Sequence, residues 1–92
     1  MDEGEPTLMK DQIEKAILSV LPDAEIYIID PDGAHFQGLV ISESFVGVPL
    51  LKQHKLVMNA LKEKFASDTV HALQLKTFTP EKWEAQKSNY IN

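Results

Sequence analysis

The sequence predicts a small α+β domain in the order helix, strand, strand, helix, strand, helix, with a three-stranded mixed sheet and the helices packed on one face. Three observations lead there. Apolar residues recur at helical spacing in two long segments and at strand spacing in three short ones. Asp30-Pro31-Asp32-Gly33 supplies a tight reversal between the first two strands, because proline presets one turn angle and glycine tolerates a positive φ. The chain has 92 residues, 43% hydrophobic and 25% charged, which suits one hydrophobic core and not two. A single domain over residues 1–92 is expected, frayed at residues 1–6 and 86–92.

The first helix starts near Thr7. Met9, Ile13, Ala16, Ile17, Val20 and Leu21 form its apolar stripe, and Pro22, which has no N–H to donate, stops it. Residues 24–30 are rich in isoleucine and tyrosine and read as the first strand. In the second, residues 35–42, Phe36 and Val40 fall on one face and Leu39 and Ile41 on the other, so both faces are apolar enough to be covered. The two strands form a hairpin. Leu50, Leu51, His54, Val57, Met58, Leu61 and Phe65 then recur at helical spacing, with Lys52, Lys55, Lys62, Glu63 and Lys64 mostly off that stripe. Residues 70–78 alternate as a third strand. Thr79-Pro80-Glu81 combines an N-cap residue, a first-turn proline and an acid near the helix dipole, opening a short helix that carries Trp83. No internal repeat is present. The helical crossover between the second and third strands makes them run in the same direction.

Composition narrows the function. With no cysteine, the chain has no disulfide, no thiolate nucleophile and no all-cysteine metal site of its own. A formal net charge of −5 disfavours general attraction to a polyanion, so nucleic-acid binding would need a locally basic face. The apolar run at residues 46–51 is far too short to cross a bilayer, and residues 1–5 carry three acids ahead of any apolar stretch, unlike a secretory or transit signal. A cytoplasmic protein is expected. Catalysis finds no support. None of Ser42, Ser44, Ser67 and Ser88 sits in a nucleophile-elbow pattern, Glu43 lacks a desolvating partner in the sequence, and Gly33, Gly38 and Gly47 match no phosphate-binding loop.

The histidines carry the remaining chemistry. His35 opens the second strand and His71 lies near the start of the third, so parallel strands would put both at one end of the sheet. If the third strand pairs with the second they stand one strand spacing apart, and if it lies beside the first, two, roughly 5 or 10 Å. Taken singly, each satisfies a local hydrogen bond at a strand end. Taken together, two imidazoles form a candidate metal site, although their separation in sequence matches no self-contained zinc motif. His54 lies on the apolar stripe of the second helix and reads as a packed or partly covered structural histidine. Its alternative role is in a small basic patch with Lys52 and Lys55.

Five blocks carry a family resemblance: His35-Phe36-Gln37-Gly38-Leu39-Val40-Ile41-Ser42; Phe45-Val46-Gly47; Leu50-Leu51-Lys52-Gln53-His54-Lys55; Val70-His71-Ala72-Leu73; and Thr79-Pro80-Glu81-Lys82-Trp83. In this order they resemble the BolA family, in its histidine type, and are most similar to the short bacterial YrbA/IbaG branch. The resemblance implies a fold like the class II KH domain. It also implies a monothiol glutaredoxin partner and a [2Fe-2S] cluster shared with that glutaredoxin and its glutathione, with no cluster bound by this chain alone. His71, matching the family's invariant histidine, would be one ligand and His35 the second. Thiolates would come from the partner, which fits a chain without cysteine.

The alternative is a BolA-type transcriptional or nucleic-acid-binding stress regulator, with Lys52, His54 and Lys55 facing phosphates and DNA as partner. The sequence departs from relatives that carry arginine where it has Lys55. Gly47-Val48-Pro49-Leu50 supplies only the first glycine of the GXXG loop with which KH domains clamp a nucleic-acid backbone. No membrane partner is expected. Alone the protein is expected to be a monomer or a weak homodimer, the latter through a sheet edge or the loop residues Phe45, Val46 and Val48.

Overall fold

The expected order of elements is realised in a computed structural model, which describes residues 5–29, 36–66, 70 and 73–91. Helix α1 spans Glu5–Leu18, strand β1 Glu25–Ile29, strand β2 Phe36–Ile41, helix α2 Leu50–Lys62, strand β3 Leu73–Phe78 and helix α3 Pro80–Gln86. Short 3₁₀ turns at Glu43–Phe45 and Lys87–Asn89 follow β2 and α3.

Helix α1 begins at Glu5, inside the stretch expected to fray, with Pro6 in its first turn, where a missing N–H leaves no bond unmade. It ends at Leu18, short of Pro22. The N–H groups of both Val20 and Leu21 reach back to the Ile17 carbonyl, which tightens the last turn and turns Val20 outward while Leu21 goes into the core.

Strand β1 runs antiparallel to β2, with Tyr27 opposite Leu39, and β2 runs parallel to β3, with Phe36 opposite Leu73 and Ile41 opposite Phe78. The order is β1-β2-β3, so the third strand lies one spacing from the second and forms an edge of the sheet. It starts at Leu73, not at residue 70. The N–H of Val70 donates to the Ala66 carbonyl at 3.1 Å, a helical-turn bond, and its side chain is buried in the core instead of alternating in a strand.

Alternation along β2 divides the core in two. Val40 joins Ile13, Ala16 and Ile17 of α1, Val57 and Leu61 of α2, Phe45 and Leu73 on one face. Leu39 and Ile41 join Phe78 and Trp83 on the other. The expectation of helices on one face therefore holds for α1 and α2 only, because α3 covers the opposite face. The physical reason is local. Thr79 accepts the Lys82 N–H through its side chain and Pro80 takes the first helical position, so α3 starts immediately after β3 and swings Trp83 over Leu39 and Ile41.

Trp83 stacks on Tyr27 at a centroid distance of 5.4 Å and meets Phe78 at 5.2 Å; Tyr90 meets Phe78 edge-on at 5.6 Å. These separations lie in the range that favours aromatic pairs. Tyr90 and Ile91 are thus docked on the second core, and the fraying expected for residues 86–92 does not describe the chain through Ile91.

Candidate functional site

The parallel pairing of Phe36 with Leu73 brings the starts of β2 and β3 to the same end of the sheet. His35 directly precedes Phe36, and His71 precedes Leu73 by two residues. Both histidines lie outside the described residues. Among the described residues, no group of three or more His, Cys, Asp or Glu side chains could hold a metal ion.

At the other end of these strands the chain builds a polar tie that the sequence did not reveal. Ser42 is buried just after β2; its hydroxyl donates to the Asp23 carboxylate at 2.8 Å and accepts the Ser44 N–H at 3.0 Å, capping the 3₁₀ turn. Asp23 also accepts the Glu43 N–H at 3.0 Å. The Ser42 hydroxyl, above all, holds the Asp23 carboxyl below the usual carboxylate range against the opposing effect of burial, with the Glu43 N–H adding to it. Nearby, the Tyr27 hydroxyl donates to Glu25, and this bond raises the phenol pKa. Among the described residues, serine, aspartate and backbone here form a hydrogen-bonded cap that anchors the turn.

Gln53 does similar work inside α2. Its side-chain amide donates to the Val48 carbonyl at 2.8 Å and the Phe45 carbonyl at 3.3 Å, and accepts the Thr77 hydroxyl at 2.7 Å. One buried side chain thereby fastens the loop before α2 to β3. The sequence gives a weak signal for it: Gln53 is four residues before Val57 and eight before Leu61, on the face that faces the core.

That face corrects the apolar stripe expected for α2. Gln53, Val57, Ala60 and Leu61 are buried, whereas Leu50 and Leu51 are 60% and 69% exposed. Helical phase accounts for Leu51, which stands about 1000° and so some 80° from Leu61 at 100° per residue; Leu50 shares the core phase but is the first residue of the helix, at the end of the packed face. Lys52 and Lys55 are exposed, and His54 is partly covered. The expected basic patch is not a single surface, because His54 and Lys52 lie about 160° apart around the helix. His54 instead lines a groove of about 270 Å³ with Leu50, Leu75, Gln86 and Tyr90. Phe45, expected to help self-association, is fully buried in the core, while Val46 is exposed and Val48 partly covered. Among the described residues, no helix is long and apolar enough to cross a membrane.

Comparison with known proteins gives these features a family. Residues 10–82 match the BolA family, described as BolA-like protein. The chain is 30% identical over 73 residues to the acid stress protein IbaG of Escherichia coli, spanning 79% of this chain and 86% of that one. It is 29% identical over 86 residues to the E. coli DNA-binding transcriptional regulator BolA, spanning 84% and 81%. Among solved structures, a bolA protein homologue from Coxiella burnetii is similar at 38% identity and a TM-score of 0.64, over 80% of this chain and 94% of that one. None of the three names denotes an enzyme. The match covers both strands of the parallel pair, the crossover between them and the strand-to-α3 junction, and the chain belongs to the BolA family.

Proposed function

We propose that this protein is an accessory factor in iron–sulfur cluster trafficking or iron sensing. It binds a monothiol glutaredoxin and contributes His71 and His35 as ligands to a [2Fe-2S] cluster shared with that partner and its glutathione. The observation that carries this reading is the parallel register of β2 and β3. Phe36 and Leu73 are paired neighbours, so the segments bearing the two histidines enter the sheet at one end. The donor chemistry supports it too. Imidazole is a suitable ligand for iron, and a chain with no cysteine leaves the thiolates to a partner. In this role the chain's own task is to fix the strand ends that present the imidazoles. The protein acts in the cytoplasm, is a monomer or weak homodimer without its partner, and serves a stress response, as the name of its E. coli relative IbaG suggests.

Anaerobic reconstitution of the protein with a monothiol glutaredoxin, glutathione, iron and sulfide tests this directly. Visible absorption and circular dichroism should differ from those of the glutaredoxin alone, and His71→Ala and His35→Ala should each shift them back. An unchanged spectrum with no complex on gel filtration would sink the proposal.

A second reading, regulation through DNA, is favoured by the name of the E. coli BolA relative and by the exposure of Lys52 and Lys55. Phosphate-driven binding must weaken steeply with salt. Binding of a DNA duplex that is insensitive to salt, or absent at moderate salt, would reject it.

A further inference from the structure

Strand β3 is an edge strand, and what flanks its open side is specific. The Phe78 carbonyl accepts the Ser42 N–H, so Phe78 points its backbone groups toward β2. Alternation then directs those of Lys76 inward as well and those of Leu75 and Thr77 outward, away from the sheet. A groove runs along this outward side. On the helical face it is bounded by Leu50 and His54, on the other by Gln86 and Tyr90, with Lys76 exposed between. Its volume of about 270 Å³ is smaller than the ~300–1,000 Å³ of small-molecule pockets.

Charge selects the occupant. Among the described residues, no carboxylate lines the groove. Residues 44–80, which include α2 and β3, hold five lysines and two acids, whereas residues 1–43 hold two lysines and ten acids. Helix α2 also opens with no acid in its first turn and no side-chain cap, which leaves the positive end of its dipole uncompensated beside Leu50. Lys76 and the uncapped start of α2 are thus the charged features on this side, beside exposed Leu50.

We propose that the outer edge of β3 is a docking strip for an extended acidic and apolar segment of a partner protein, which adds to the sheet as a fourth strand between α2 and Tyr90. Main-chain bonds to Leu75 and Thr77 supply the pairing, Leu50 receives an apolar side chain, and Lys76 attracts carboxylates. A second copy of this chain fits poorly in the register centred on Lys76, which sets two lysines against each other, and brings no carboxylate from its own described β3 in any register. A nucleic acid fits poorly too, because a phosphodiester backbone has no N–H groups to offer the outward carbonyls. This strip involves neither His35 nor His71, so the proposal stands apart from the cluster reading.

The test is a titration of the full ¹⁵N-labelled chain with an end-blocked peptide of alternating valine and glutamate. Amide shifts should change at Leu75, Lys76, Thr77, Leu50 and His54, and N-methylation of the peptide backbone on its pairing side should abolish them. Leu75→Pro removes an outward N–H that the sheet does not use, and Leu50→Asp places a like charge at the groove mouth. Each should weaken binding about tenfold or more. Leu50 is exposed, so its variant carries the test if Leu75→Pro does not fold. No shift at millimolar peptide, or shifts confined elsewhere, overturns the proposal. So do shifts at these amides from oligothymidylate in place of the peptide, or concentration-dependent shifts there from the protein alone.

Discussion

Asp23 and Ser42 lie 19 positions apart in the chain and meet at the seam between the end of α1 and the end of β2. Because the folded carboxyl titrates below its unfolded value, the tie contributes stability that is present above about pH 4 and is lost as pH falls through the lower folded value. The slope of melting temperature against pH below about 4 should therefore flatten in Asp23→Ala. Ser42→Ala removes a donor to Asp23 and the acceptor for the Ser44 N–H together, and urea unfolding should show a loss of about 1–2 kcal/mol. At Gln53, replacement by alanine removes the side-chain donor to the Val48 carbonyl and leaves the buried Thr77 hydroxyl without its acceptor, while the Phe45 carbonyl keeps the Val48 N–H. The expected loss is about 2–3 kcal/mol, larger than for either partner group alone. Neither tie was legible in the sequence, since each joins residues whose proximity is created only by the fold. The Thr79-Pro80 start of α3 was legible because capping acts over three residues.

At the level of elements, α3 and the turn after it are short in sequence and large in effect. Trp83 is buried against Tyr27, Phe78 and Tyr90, so Trp83→Ala should cost about 3–5 kcal/mol in chemical denaturation. Ending the chain after Gln86 removes Tyr90 and Ile91 from the same cluster, and should lower stability measurably while leaving α1 and α2 helical by far-ultraviolet circular dichroism. The order of elements and the parallel crossover could be read from periodicity; the turn expected at residues 30–33 lies outside the described residues. The phase of α2 could not be read. Leu51 fits an apolar stripe as well as Leu61 does, and only the direction of the sheet decides which is covered, while Leu50 keeps the core phase but lies at the helix's first residue. The two histidines were legible as positions just ahead of strands, and the register shows that β2 and β3 are direct neighbours.

For the molecule as a whole, the decisive feature is that one strand serves two cores. Leu39, Val40 and Ile41 are consecutive in β2, all but fully buried, and they alternate between the α1–α2 side and the α3 side. Neither cluster can lose its packing without exposing the back of the strand that the other depends on. Two separately drawn cores should therefore melt as one thermodynamic unit. Trp83 fluorescence, which watches the α3 side, and far-ultraviolet circular dichroism, which is dominated by α1 and α2 on the other, should give superimposable denaturation curves. A spread between the two midpoints would mean that β2 hinges the halves instead of coupling them. Coincidence would mean that a disturbance at the aromatic cluster is felt in full at the far face of the sheet, with no loosened intermediate for the cell to encounter.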